Sequence, residues 1–396
     1  MSVFLITIFF FTLYAGLIIY YRQSWLDITI DNGQWAIDNI QNTFISIIIP
    51  ARNEEENIQA CLKSVTSQTY PENLFEVIVI DDFSTDNTSA IVNSYAEKNV
   101  TLISLKDFIE EGKLNSYKKK AIEIAISKAK GELIVTTDAD CIVPNLWLQT
   151  IASFYEMYHP VFIAAPVAYS FPSPVGEPAR AGMNGRLGVR LLKIFQSLDF
   201  MTLQGITGAS VYKKFHSMCN GANIAYEKKA FLEVGGFTGI DNIASGDDML
   251  LMHKIFNRYP DRVLFLKSPD AIVQTKPAET LKEFFNQRIR WASKADKYTD
   301  KKITAVLLLV YLFNFWILFL GILSVFYFQL FFLFIEVLIA KTIVELFFLY
   351  PVAKFFKKEK LLWWFPLAQP FHILYTIVAG WLGKFGSYKW KERRVK

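Results

Sequence analysis

Asp138 and Asp140 stand one residue apart at the end of an apolar, β-branched run, Leu133 to Thr137, within the segment Gly131–Cys141. Such a run predicts a strand buried on both faces of a parallel sheet. Carboxylates just past its carboxyl end project into the crevice where open α/β sheets bind ligands. The pair suits a hard divalent cation, Mg²⁺ or Mn²⁺, which takes few protein oxygens and fills its remaining positions with water and substrate phosphates. A diphosphate-bearing ligand is the natural partner. An isolated Asp-X-Asp also closes turns and caps helices, so the neighbouring segments decide between the readings.

Those segments alternate. Phe44 to Ile49 reads as a strand stopped by Pro50, followed by helix periodicity through Ile58, Leu62 and Val65. Val77 to Ile80 is a second strand, with cap and turn chemistry at Ser84 to Asn87 before a second helix. Val100 to Leu105 is a third strand, Lys118 to Lys130 a helix, and the run before Asp138 a fourth strand. The βαβα order predicts a doubly wound, mostly parallel α/β sheet with flanking helices. Its loops at Arg52 to Glu54, Asp81 to Asp86 and Asp138 to Asp140 then share one edge, where a base, a ribose and a metal-bound diphosphate can be held. Capping is the alternative use of Asp81, Asp82 and Asp86. No GxGxxG or GxxxxGK[ST] occurs, so neither a dinucleotide fingerprint nor a P-loop is supported.

Taken together, PARNEEENI, VIVIDDFSTDNT and TTDADC resemble the nucleotide-binding half of inverting family 2 glycosyltransferases of the GT-A fold. The resemblance implies a Rossmann-like GT-A domain and a sugar-nucleotide donor. Pro50, Arg52, Asn53, Glu54, Asp81 and Asp82 would then line the nucleotide, and Asp138 and Asp140 the metal–diphosphate. Lys118 in YKKKAI resembles the family's donor-site lysine, although Tyr117 stands where the family usually has glycine and Lys119 and Lys120 compete for the role. Farther on, Gly205 to Tyr226 and Gly235-Gly236-Phe237 resemble the family's NGAN and GGF region, making Asn220 and Asn223 candidate sugar contacts or turn formers. Leu187 to Met201 is an amphipathic stretch that suits either a membrane surface or the core.

Inverting transfer needs a carboxylate to take the proton of the attacking hydroxyl. Matched to the family's Glu-Asp motif, Asp248 takes that position and Asp247 replaces the glutamate, at the head of an apolar helical run that either residue can also cap. Gln287, Arg290 and Trp291, on a helix started by Thr280, match Gln-X-X-Arg-Trp. Arginine can pair with diphosphate oxygens through its fork, and glutamine and indole suit a sugar. The signature resembles synthases of cellulose, chitin and hyaluronan, and ceramide glucosyltransferases.

With 52% hydrophobic and 16% aromatic residues, the composition exceeds ordinary soluble usage and implies a membrane-resident part. A net charge of +5 from 42 basic and 37 acidic residues argues against nucleic acid, and the basic residues cluster beside apolar runs. Cys61, Cys141 and Cys219 have neither disulfide nor zinc spacing. Residues 1–21 read as a retained transmembrane anchor, 22–43 as a connector, and 44–300 as a cytoplasmic GT-A domain with nucleotide (44–141) and acceptor (142–300) halves. Residues 303–350 suit two transmembrane helices with a turn near Gly321 to Ser324, and Glu336, Lys341 and Glu345 in the second suit an ion pair facing the bundle. Residues 361–383, interrupted by Pro366 and Pro370, either span or re-enter, before a basic tail at 384–396.

The expected activity is transfer of a hexose or N-acetylhexosamine, from UDP or a related nucleotide diphosphate, to a lipid or lipid-linked hydroxyl at a bilayer, by an integral protein of a bacterial inner membrane. A processive polysaccharide synthase is the alternative. A non-catalytic scaffold on the same fold is a third reading.

Overall fold

Isoleucines 45, 47, 48 and 49 are fully buried, which is why β1 (Ile45–Ala51) lies inside a sheet covered on both faces. This computed structural model describes residues 1–30, 42–112, 114–170, 183–216, 218–243, 245–293, 300–385, 388–390 and 393–395. Much of the expected connector, 31–41, lies outside the described residues, as does part of the tail. After β1 come β2 (Phe75–Asp81), β3 (Val100–Ser104), β4 (Leu133–Thr136), β5 (Phe162–Ala164), β6 (Val167–Tyr169), β7 (Ile224–Glu227), β8 (Val263–Phe265) and β9 (Val273–Thr275). The chain divides into two compact units.

The first unit, Thr29–Ser170 with Ser217–Lys276, holds a seven-stranded sheet in the order β3-β2-β1-β4-β7-β5-β8. Strands β1, β2, β3 and β4 pair in parallel, and β7 runs antiparallel between β4 and β5. The expected mostly parallel sheet with flanking helices is therefore present, with one reversed strand that periodicity did not reveal. A small parallel pair, β6 with β9, lies outside the main sheet order. Helices Ile58–Thr66, Thr88–Asn93 and Tyr117–Lys128 connect the first strands, the first of them burying Ile58, Cys61, Leu62 and Val65.

Pro50 does not stop β1, contrary to the expectation. Ala51 accepts a bond from Asp82 N–H on the β2 side, and Ile48 accepts one from Thr137 on the β4 side. Alternation turns Pro50 toward β4, which ends at Thr136, so its missing N–H removes no ladder bond.

The second unit joins Met1–Ile28, Phe171–His216 and Pro277–Lys396. Of the expected acceptor half, the described residues 183–216 and 277–293 group with the apolar helices and not with the sheet. Its helices are Ser2–Asp27, Met183–Tyr212, Leu281–Ala292, Lys301–Phe326, Gln329–Phe355 and Phe365–Phe385. Among the described residues, Ser2–Asp27, Lys301–Phe326 and Glu359–Phe385 are long and apolar enough to cross a membrane.

The turn expected at Gly321 to Ser324 falls instead at Tyr327 and Phe328. Gly321 lies inside its helix, where an added Cβ would come within 3.1 Å of the Phe334 ring, so the glycine permits close packing rather than a turn. The last helix runs through Pro370 without interruption, and Pro366 sits in its first turn, where no intrahelical N–H is needed. Lys341 Nζ lies 2.7 Å from Glu345 Oε1 and donates to Gln369 Oε1 at 2.9 Å. Tyr14 and Gln369 also donate to Glu345, closing a buried network that needs no outside partner. Glu336, the other acid in reach by spacing, is exposed.

Candidate active site

The site begins where β1, β2 and β4 end. Arg52, just past β1, donates from Nη1 to the backbone oxygen of Asp82 at 2.8 Å and lies 3.7 Å from its carboxylate. Asn53 adopts a left-handed backbone (φ 51°) and accepts from Thr85 N–H through Oδ1, while its own N–H donates to Ser84 Oγ. Glu54 N–H donates to Thr88 Oγ1, and Glu55 N–H to Asp86. Asp81 accepts from Ser84 N–H. The first two loops are therefore laced to each other, with Asp81 and Asp82 buried and Asp86 serving as turn and cap. Hydrogen bonds from Thr88 and Glu55 hold the Asp86 carboxyl below the usual range against the opposing effect of burial.

Past β4, Asp138 and Asp140 take different partners. Asp138 Oδ1 receives Lys118 Nζ at 2.8 Å, and Asp140 Oδ2 accepts from Thr275 Oγ1 at 3.3 Å. The bridge from Ile142 to Gln274 brings β9 against this turn. Burial and the two aspartates hold the neighbouring Cys61 and Cys141 thiols well above their ordinary range, so both are inert apolar packing.

Three consecutive lysines open the helix Tyr117–Lys128, and the structure gives each a different task. Lys118 bridges Asp138 and Asp247, 3.1 Å from Oδ2 of the latter. Burial alone would lower its pKa, but the surrounding carboxylates outweigh that and raise it above the usual lysine value. Lys119 is buried and donates to the carbonyls of Ile240, Ile243 and Ser245, satisfying an ammonium's three donors and fixing the loop that precedes Asp247. Lys120 faces outward with Glu123. Sequence reasoning left Lys119 and Lys120 as rivals for the donor site, because only the fold shows that Lys118 reaches the acids and Lys119 the carbonyls.

Gly246, with φ 82°, makes the left-handed turn into the acidic pair. Asp248 then caps the helix Met249–Arg258 through Oδ1, which accepts from Met249 N–H at 2.7 Å, while Oδ2 accepts from Gly221 N–H at 3.1 Å. An added Cβ on Gly221 would lie 3.4 Å from Asp248 Cβ, placing this backbone against the acidic pair. Capping and a chemical role are compatible, since each carboxylate oxygen keeps a second lone pair.

Asn220 and Asn223 part company. Asn220 Oδ1 accepts from Ala222 N–H within its turn. Asn223 is fully buried, donating to the Pro166 and Ala271 carbonyls and accepting from Trp147 Nε1. It is a core residue and not a sugar contact, which corrects that expectation. In the other unit, the capping box of Thr280 and Glu283 starts the helix bearing Gln287, Arg290 and Trp291, all half-buried.

A mostly parallel sheet with acidic loops at its carboxyl edge, an aspartate pair beyond them and a lysine joining the two defines a glycosyltransferase of the GT-A class. The chain belongs to glycosyl transferase family 21, whose family model matches residues 174–395, and the glycosyl transferase family 2 model matches residues 46–232. Glycosyltransferase AglE of Haloferax volcanii is 34% identical over 130 residues, 33% of this chain and 41% of that protein. The probable glycosyltransferase YdaM of Bacillus subtilis is 25% identical over 272 residues, 66% of this chain and 57% of that protein. The chain thus spans about half the length of these relatives. The solved mannosyltransferase PcManGT of Pyrobaculum calidifontis, in complex with GDP-Man and Mn²⁺, shares the fold at TM-score 0.59 with 18% identity, over 96% of both chains.

Proposed function

We propose that this enzyme transfers one sugar, with inversion, from a nucleotide diphosphate to the hydroxyl of a lipid or lipid-linked acceptor. The observation that carries the proposal is Lys118, which holds Asp138 and Asp247 to one cation while Asp248 is fixed beside them by two backbone N–H groups. Pro50, Arg52, Asn53, Glu54, Asp81 and Asp82 are assigned to the nucleotide.

In the reaction the acceptor oxygen bonds to the anomeric carbon as the bond to the diphosphate breaks on the opposite face, and the hydroxyl proton passes to Asp248. Asp247, already tied to Lys118, is less suited to receive it. Lys118 offers positive charge toward a departing diphosphate. Gln287, Arg290 and Trp291 are assigned to diphosphate and sugar by their side-chain chemistry.

Asp138 and Asp140 fit Mg²⁺ or Mn²⁺: both offer hard oxygens, and Asp138 is about a third exposed, with room for ligands from outside the protein. When bound, the ion neutralises diphosphate charge. The apolar helices are assigned to the bilayer, with the sheet unit on the cytoplasmic side of a bacterial inner membrane.

The charges inside the helical unit support single transfer over processive synthesis, because Lys341, Glu345 and Gln369 satisfy one another rather than lining a polar conduit. Purified protein in lipid is to be given a panel of nucleotide sugars and the product mass-analysed. A glycolipid extended by one sugar is expected. A high-mass, glycosidase-sensitive polymer would make the synthase reading primary, and no product with any donor would remove both.

A further inference from the structure

We infer that Arg288, which occupies an unspecified position of Gln-X-X-Arg-Trp, is the residue that positions Gln287 and Trp291, and that Asp199 anchors it. The inference rests on the role proposed above for those two side chains. Arg288 is almost fully buried, and its guanidinium packs over the Phe284 ring at 4.8 Å while making three contacts that bear on the signature. Nη2 donates to Asp199 Oδ2 at 2.6 Å, Nη1 donates to Gln287 Oε1 at 2.8 Å, and Cζ lies 4.2 Å from the centroid of the Trp291 ring.

Each contact constrains something a ligand would meet. Taking up Gln287 Oε1 sets the orientation of that amide, so its NH₂ end is turned away from Arg288. The flat cation beside the indole, with Phe200 on the ring at 6.1 Å, fixes the plane of Trp291. Asp199 and Phe200 are neighbours on the helix Met183–Tyr212, so one short segment holds both the arginine and the tryptophan.

Asp199 is itself fixed. Its Oδ1 accepts from the Tyr375 hydroxyl and lies 3.9 Å from His372 Nε2, both on the last helix. The cavity against Asp199, Glu345, Gln369 and His372 has a volume of about 30 Å³, room for roughly two waters and too little for a sugar. Arg288 and Asp199 are therefore positioning residues. A lysine cannot replace the arginine, because one ammonium lacks the planar fork that serves Asp199 and Gln287 while stacking on Trp291.

The test uses the full chain in lipid, with kcat and donor KM measured for Gln287→Ala, Arg288→Lys, and the paired change Asp199→Leu with Arg288→Met, which leaves no orphan buried charge. The paired variant is expected to keep its thermal unfolding midpoint yet lose about 10²-fold in kcat, as misplacement of a positioned group does. Donor KM should move far less. Adding Gln287→Ala should cost little more, because the amide is already released.

Arg288→Lys should show the same kcat loss even if the paired variant fails to fold. Wild-type kcat in Arg288→Lys or in the folded paired variant overturns the inference while leaving the transferase reading intact. Normal transfer by Gln287→Ala removes the assumed role of the signature and this inference with it. Absence of transfer by the unsubstituted protein removes the function itself.

Discussion

Lys118 Nζ lies 3.1 Å from Asp247 Oδ2 while donating at 2.8 Å to Asp138, so one side chain joins residues more than a hundred positions apart. Replacing it by methionine should separate the two acidic elements and lower transfer by about 10²-fold, as removal of one electrostatic stabiliser does. The fold should survive, since the side chain is about a fifth exposed. Because the pair raises the Lys118 pKa, its contribution to stability is complete at neutral pH and is lost only as pH rises through the elevated value. Wild-type turnover in Lys118→Met at pH 7 would show the bridge to be structural.

Asp248→Asn should spare donor binding and reduce transfer by roughly 10²–10⁴-fold, the range for loss of a general base. Its neighbour is the control. Asp247→Asn is expected to do less to kcat, and the opposite ranking in single-turnover measurements would move the proton acceptor to Asp247.

For the cation, Asp140→Asn should weaken Mn²⁺ binding measured directly by electron paramagnetic resonance in the presence of nucleotide diphosphate. Chelation should abolish transfer by the unsubstituted enzyme and re-addition restore it. Equal Mn²⁺ occupancy in the variant, with full activity in chelator, would remove the metal assignment.

Lys267 provides a pH test in the sheet unit. Burial lowers its pKa to about 8, so the folded chain penalises the charged form. Between that value and the ordinary lysine value the unfolded chain binds more protons, and stability therefore rises with pH across this interval. Lys267→Met should stabilise the protein at pH 7 by at most about 3 kcal/mol, at roughly 1.4 kcal/mol per unit. The gain should shrink above pH 8. A pH-independent difference in the thermal midpoint would show that burial does not penalise this charge.

What sequence alone determined follows from local chemistry. The runs at Ile45–Ile49 and Leu133–Thr136 are too apolar for anything but a doubly covered sheet, and the acids after them can only stand at its carboxyl edge. Capping at Thr280 and Asp248 was equally legible, because a cap is fixed within a few residues.

Tertiary structure decided what depends on partners far along the chain. Lys118, Lys119 and Lys120 are chemically alike, and only packing sends one to the acids, one to three carbonyls and one to solvent. Asn223 looked like a ligand contact until β7 placed it in the core, where its amide must be satisfied by protein. Arg288 drew no attention inside a signature that leaves its position open, since Asp199 lies 89 residues away and only helix packing could bring the buried cation to its counter-charge.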